Sequence, residues 1–479
     1  MIPTSDEDGT GTGTSAPTIA SPVSRWAMVT FLVLFAMNLL DYIDRWVLAA
    51  VLPQIKADFH LGNTQAGWLA TLFLISYSVV SPIMGWAGDR VRRTWLLGLG
   101  VGVWSLATVG TGFARDYGHL QLARSFLGIG EATYGVIAPT ILMDLFARER
   151  RARIMSAFYL AMPIGGALGM SLGAIIAKWY GWHAAFFVVG APGLFVALLA
   201  LVLPEPVRGS SEGIDPERLK AHERVGAKSA DYLELMVNSS YTYSVFGMAA
   251  YTFAIGGLAY WLPTFLTQVR GIEAVKANSL LGITTCVAAI IGMTTGGWMA
   301  DRWARSNPRG LFIVPGVAML GSIPFIILAL YAKSLPGIYA GIFLAEALMF
   351  VNTGPCNAVI ANVVAPNMRA AAYATAIFAV HFLGDIWSPT LMGWVADTFG
   401  QKDAMGSVFG QALAAIGALP TSQPNRPPEN LLAGMLVVVP AVAISGLVLL
   451  AGARHLPREM ALMLAKLKAS PKAEVSAEL

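Results

Sequence analysis

The sequence predicts an all-α polytopic membrane protein, with twelve transmembrane helices arranged as two pseudo-symmetric six-helix bundles. Three observations carry that prediction. Only 13% of the 479 residues are charged while 56% are hydrophobic, whereas a soluble domain carries about a quarter charged residues. Apolar stretches of about 20 residues, the length at which a helix crosses the hydrocarbon, recur along the whole chain. One motif also returns after roughly half the chain: Gly85-Trp86-Ala87-Gly88-Asp89-Arg90 reappears as Gly297-Trp298-Met299-Ala300-Asp301-Arg302.

Taken in order, residues 1–24 are rich in Gly, Thr and Ser and lack a basic segment ahead of a short apolar core. They read as a disordered cytoplasmic tail rather than a signal peptide. Six spans follow at 26–52, 65–88, 95–113, 118–142, 152–177 and 182–203, making an N-terminal bundle over 25–203. Segment 204–240 is the longest charged stretch between spans and reads as a cytoplasmic linker. Within it, Asp215 and Pro216 mark a helix start, as N-cap and first helical residue. Six more spans at 242–268, 277–300, 311–332, 336–363, 369–397 and 431–453 make a C-terminal bundle over 241–455, followed by a tail over 456–479. Segment 398–429, with Pro420, Pro424, Pro427 and Pro428, reads as an irregular extracytoplasmic loop.

Charge sets the orientation. Of the 32 Lys and Arg, about 22 fall on the side of the termini, about 8 on the other side and 2 inside spans. That bias places both termini in the cytoplasm. The net charge of +4 is spread between spans and does not form a nucleic-acid surface. Cys286 and Cys356 both fall inside spans and read as packing residues, with no disulfide framework and no metal-ligand spacing. No cofactor is expected, and the chain reads as a monomer of a cell (inner) membrane.

The internal repeat extends past the first motif. Glu131-Ala132 returns as Glu346-Ala347, and Arg153 matches Arg369 at a similar offset. Parallel repeats related by an axis along the membrane normal place a substrate cavity at their interface and permit the halves to rock about it. The segment Gly85 to Arg93 resembles the signature loop of the major facilitator superfamily, except that Arg92 stands where the family usually has Gly. The resemblance implies a major facilitator fold. It also implies a cytoplasmic gate built from Asp89, Arg90 and Arg93, with Asp144 and the second-half copy Asp301 and Arg302, closed in the outward-facing state and broken in the inward-facing one. The competing reading is that these charges only enforce topology.

Charges inside spans are costly, about 3 kcal/mol or more each unless a partner or a cavity receives them. Span 1 carries Asp41, Asp44 and Arg45, with Asp41 and Arg45 at i,i+4 on one face. Span 4 carries Arg124 and Glu131 about two turns apart. Three acids against two guanidiniums leave one acid without a full partner, able to carry a proton; Asp41 and Glu131 are the candidates. Arg45 and Arg124 keep their charge and can clamp an anion. Asp44 with Arg45 also reads as a structural pair at the mouth of the span. Glu346 in span 10 and Tyr134 in span 4 are further candidates for contact with substrate. His381 and Asp385 sit at i,i+4 in span 11 and read as a titrating pair or a satisfied polar contact. Trp387, Trp261 and Tyr260 are candidate cavity aromatics or packing residues.

A narrower resemblance rests on Asp41-Tyr-Ile-Asp44-Arg45, Val51-Leu-Pro53, Gly88-Asp89-Arg90, the run from Arg124 to Ala132, and Ala138-Pro139-Thr140 followed by Asp144-Leu-Phe146. Together these are similar to the spinster family of lipid transporters, closely over residues 38–173 and collinearly through the second half, as in a bacterial member. The resemblance implies a proton-coupled carrier of lysophospholipids or sphingoid phosphates, in which Arg45, Arg124 and Glu131 match the family pattern. Asp41 stands where animal members are expected to have Asn. A carrier of small organic anions or drugs, and a substrate-gated channel, are the alternatives. No phosphate-cradling Gly-x-x-x-x-Gly-Lys-Ser/Thr loop and no His-Glu-x-x-His motif occurs, which argues against a pump driven by ATP and against a metal-dependent hydrolase.

Overall fold

The structure, a computed structural model, describes residues 25–88, 90–146, 154–155, 157–206, 235–364, 369–421 and 428–469. The expected N-terminal tail, Asp89, Arg153 and the Asp215-Pro216 helix start lie outside the described residues.

The N-terminal half consists of α1 Arg25–Asp58, α2 Asn63–Gly88, α3 Arg93–Gly112, α4 Tyr117–Leu145, α5 Ala161–Tyr180 and α6 Trp182–Val202. The C-terminal half consists of α7 Ser239–Thr264, which ends in a π-turn over Phe265–Val269, then α8 Ala274–Ala304, α9 Gly310–Tyr331, α10 Leu335–Phe350 and α11 Thr353–Val363. It continues with α12 Arg369–Leu383, α13 Ser388–Thr398, the short α14 Lys402–Met405 and α15 Val408–Ala415, then α16 Leu431–Leu436, α17 Val438–Gly452 and α18 Leu456–Ala469. Among the described residues, eleven helical segments are long and apolar enough to span a bilayer. Side-chain caps begin several of them: Asp116 accepts from the His119 N–H at 2.9 Å and Asn238 from the Tyr241 N–H at 2.8 Å.

The eleventh expected span differs. Residues 369–397 form two helices, α12 and α13, separated at Gly384–Trp387. Pro389 has no N–H for the ladder and its ring crowds the carbonyl four residues back, so the chain stops and restarts, with Pro389 in the first turn of α13. Three further expectations change. Helix α1 runs six residues past the expected end at 52, taking Lys56 into the fold. The 398–429 segment holds α14, α15 and a bridge between Thr421 and Glu429 instead of being irregular. The expected tail begins with α18, whose Glu459 accepts the N–H groups of Ser239 and Ser240 at 3.0 and 2.7 Å and so caps α7.

In each half the helices pack with neighbours from their own repeat: α1 with α5, α2 with α4 and α3 with α6, then α7 with α17, α9 with α10 and α8 with α10. Across the halves, α2 packs on α13 and α5 on α8. Both contacts use glycine for close approach: a Cβ on Gly67 would meet the Pro389 carbonyl at 2.4 Å, and one on Gly282 would meet the Ala167 backbone at 2.8 Å. We call the side where α1 begins and α17 ends the terminal face, and the opposite side the loop face. Hydrogen bonds between the halves among the described residues lie toward the loop face. They include Thr71 to the Ile386 carbonyl at 2.5 Å, Lys178 to Glu273 at 3.1 Å and the Tyr260 hydroxyl to the Ala66 carbonyl.

Candidate functional site

Span charges converge where α1 and α4 face each other. Arg45 Nη2 lies 2.5 Å from Glu131 Oε2 and 3.5 Å from Asp41 Oδ2. The Glu131 side chain is fully buried and Asp41 nearly so, whereas Arg45 is 28% exposed. Arg45 is therefore the member of the trio that an incoming molecule can reach. Its guanidinium carbon also stands 5.0 Å from the Tyr42 ring centre, 5.1 Å from Phe73 and 5.9 Å from Tyr77, an aromatic collar that holds a cation without neutralising it.

Arg124 shares the Phe73 ring, at 5.2 Å. It is 3% exposed, forms no ion pair among the described residues, and its Nε has no hydrogen-bond partner. Glu131 Oε1 and Asp41 Oδ1 are likewise buried without hydrogen bonds. Buried polar atoms are nearly always bonded, so a concentration of orphans in one place marks room for another molecule or a proton.

Asp44 turns elsewhere. It accepts a 2.6 Å hydrogen bond from Thr108 on α3 and forms no ion pair with Arg45, contrary to the structural pair expected at the mouth of the span. Neighbouring residues on a helix point about 100° apart, so Asp44 and Arg45 leave α1 in different directions.

Tyr134 is 2% exposed, packs edge-on against Trp104 and donates to the Leu34 carbonyl at 2.8 Å. The structure puts it in the core of the N-terminal half and not on an accessible wall. Trp261 is fully buried and bound to the Pro389 carbonyl at 2.9 Å, while Trp387 is 43% exposed. Glu346 is buried in the C-terminal half beside Thr285, apart from the trio. His381 and Asp385 pair at 3.0 Å, next to the break between α12 and α13, and His381 lies within electrostatic range of Arg45 across the interface. Phe73, Tyr42, Tyr77 and Thr108 were not singled out from sequence, since an aromatic or Thr in an apolar span carries no signal until its neighbours are known.

The gate residues divide. Arg93 binds Asp144 at 2.6 Å and Glu205 at 2.9 Å, while Glu205 also accepts the Thr94 N–H at 3.0 Å. This cluster ties α3, α4 and the end of α6 together within one half. Burial raises the Glu205 carboxyl and hydrogen bonds from Arg93 and the Thr94 N–H lower it; the lowering prevails and holds it below the usual carboxylate range. Arg90 folds over Trp86 at 4.2 Å, and Asp301 and Arg302 are exposed with no ion pair among the described residues. Among the described residues, no hydrogen bond or ion pair carries Arg90, Arg93, Asp301 or Arg302 to the opposite half.

Comparison with known proteins fits this geometry. The sequence pattern of the Major Facilitator Superfamily matches residues 34–389. The chain is 36% identical over 409 residues to protein spinster homolog 1 of Xenopus tropicalis, covering 82% of this chain and 77% of that one. It belongs to the spinster family of the major facilitator superfamily. The human spinster homolog 1 is 36% identical over 385 residues, covering 76% of this chain and 72% of its own length. Among solved structures, a bacterial homologue of the human lysosomal transporter Spinster, in an inward-facing and unoccupied conformation, superposes with a TM-score of 0.73 over 94% of this chain and 100% of its own, at 22% identity. A nucleoside transporter superposes with a TM-score of 0.65 at 11% identity, covering 88% of this chain and 99% of its own, so the fold by itself does not name the cargo. The chain is thus a multi-pass membrane transporter of spinster type and not an enzyme.

Proposed function

We propose that this spinster-family transporter is a secondary carrier that moves an amphipath with an anionic head, of the lysophospholipid or sphingoid phosphate kind, by alternating access coupled to protons. The terminal face is cytoplasmic in this reading, and the membrane is a cell membrane. One observation carries the proposal: Arg45, the exposed member of its cluster, is held by two buried carboxylates, while Arg124 beside it has an unengaged Nε.

The coupling follows from competition. An incoming phosphate or carboxylate and the Asp41 and Glu131 carboxylates compete for the same guanidinium. Protonating one acid weakens its hold on Arg45, so anion binding and proton binding favour each other, by the same factor in both directions. A guanidinium suits this role because its fork can hold two oxygens at once.

The test uses purified protein in liposomes with an imposed pH gradient. A lysophospholipid or sphingoid phosphate should be taken up faster than its dephosphorylated analogue, and Arg124→Ala or Arg45→Ala should erase the preference. Equal uptake of both analogues by the unmutated protein would rule out the anionic head.

A further inference from the structure

At the loop face the halves are joined by a buried polar cluster that takes no part in the site above. Lys56, in the last turn of α1, is fully buried. Its ammonium donates to Asn63 Oδ1 at 2.5 Å and pairs with Glu429 Oε2 at 2.9 Å. Asn63 Nδ2 donates to the same Glu429 oxygen at 2.7 Å and to Asp397 Oδ1 at 2.8 Å. Asp397 also accepts the N–H groups of Asn63 and Thr64 at 2.9 and 2.7 Å and the Thr64 hydroxyl at 2.7 Å. The positive end of α2 is thus capped by a carboxylate of the other half.

The surrounding backbone is built to deliver these groups. A Cβ on Gly393 would strike the Asn63 carbonyl at 2.3 Å, and one on Gly400 would strike the Pro428 carbonyl at 2.1 Å. Those two approaches press α2 against α13 and fold the returning chain so that Glu429 points inward. The Asn430 N–H fixes that return on the Ala396 carbonyl at 2.8 Å.

We propose that Lys56 and the start of α2, gripped by Asp397 and Glu429, form an electrostatic latch that holds the loop face shut. The proposal rests on alternating access. Dehydrating an ion pair largely offsets its attraction, so a complete latch fixes the register of the closed face without locking it. On opening, both partners recover water. Removing one partner breaks the balance, because the closed face must then bury a charge that has lost its counter-charge from the other half.

Spin labels on cysteines replacing the exposed His60 and Lys402, in protein with Cys286 and Cys356 replaced and reconstituted in lipid nanodiscs, report the width of this face by pulsed distance measurement. Lys56→Met or the isosteric Glu429→Gln should each raise the open-to-closed ratio by at least about tenfold, and Lys56→Met with Glu429→Gln should return it toward the starting value. Gly67→Leu, a wedge against Pro389, is a control that opens the face without touching charge. If the wedge opens the face while both single variants stay shut, or if the double variant is at least as open as its parents, the latch is wrong and alternating access stands. If even the wedge fails to open it, alternating access falls and takes the latch with it.

Discussion

At the residue scale, Glu205 shows how a position just beyond a span is fixed by what its neighbours donate. Its carboxyl is held below the ordinary range, so its contribution to folding is fully present above the unfolded value near 4.5 and is lost as pH falls through the lower folded value. Glu205→Gln is therefore expected to reduce thermal stability at neutral pH and to flatten the acid limb of the stability profile. An unchanged acid limb would mean that Arg93 and Asp144 hold this corner without it. The sequence made Asp41 and Arg45 legible as a pair, because i,i+4 spacing is a local rule. The stronger contact of Arg45 with Glu131 spans 86 positions and follows no local rule. Asp44 illustrates the opposite error: adjacency in sequence suggested a partner that helical geometry turns away. Lys56 lies past the expected end of span 1 because apolar run length alone ends that span early, and its burial depends on partners that run length does not see, among them Glu429, 373 positions away.

At the element scale, the run from Arg124 to Glu131 carries the most specific part of the resemblance read from sequence, and the structure shows what its glycines do. A Cβ on Gly128 would meet the Phe73 carbonyl at 2.4 Å, and one on Gly130 would meet the Trp104 nitrogen at 2.5 Å. Helix α4 is thereby drawn against α2 on one side and α3 on the other, which brings Arg124 to Phe73 and Glu131 to Arg45. Gly130→Leu should overpack the α3 contact and cost about 1–3 kcal/mol of stability. It should also weaken anion binding, even though residue 130 touches no substrate. Denaturation and binding measured on the same preparation check both effects; full stability with normal binding would show that the close approach is incidental. The break between α12 and α13 was legible in principle, since Gly384 and Pro389 bracket it. An apolar run scored for length passes over such a break, because membrane helices tolerate proline where neighbours satisfy the freed backbone.

At the scale of the whole molecule, the repeat was read correctly as architecture and incompletely as chemistry. Glu131 and Glu346 occupy matching positions, yet α7 contains no Lys or Arg to match Arg45, and Glu346 forms no ion pair among the described residues. In the proposed reading, charge competition for Arg45 therefore belongs to Asp41 and Glu131 and not to Glu346, and Glu131 and Glu346 should differ in their response to substrate. When an anionic amphipath binds Arg45, either Asp41 or Glu131 has to give up its share of that cation. A carboxylate left without a counter-charge at this depth is costly enough that it takes a proton instead. Binding should then consume about one proton per molecule bound, by linkage. Calorimetric titration of purified protein with a sphingoid phosphate, repeated in buffers of different ionisation heat, measures that number directly. Asp41→Asn with Glu131→Gln is expected to abolish the dependence on buffer, while Glu346→Gln leaves it intact. Heats independent of buffer in the unmutated protein would dissociate proton binding from anion binding, and a loss caused by Glu346→Gln alone would move the coupling site into the C-terminal half.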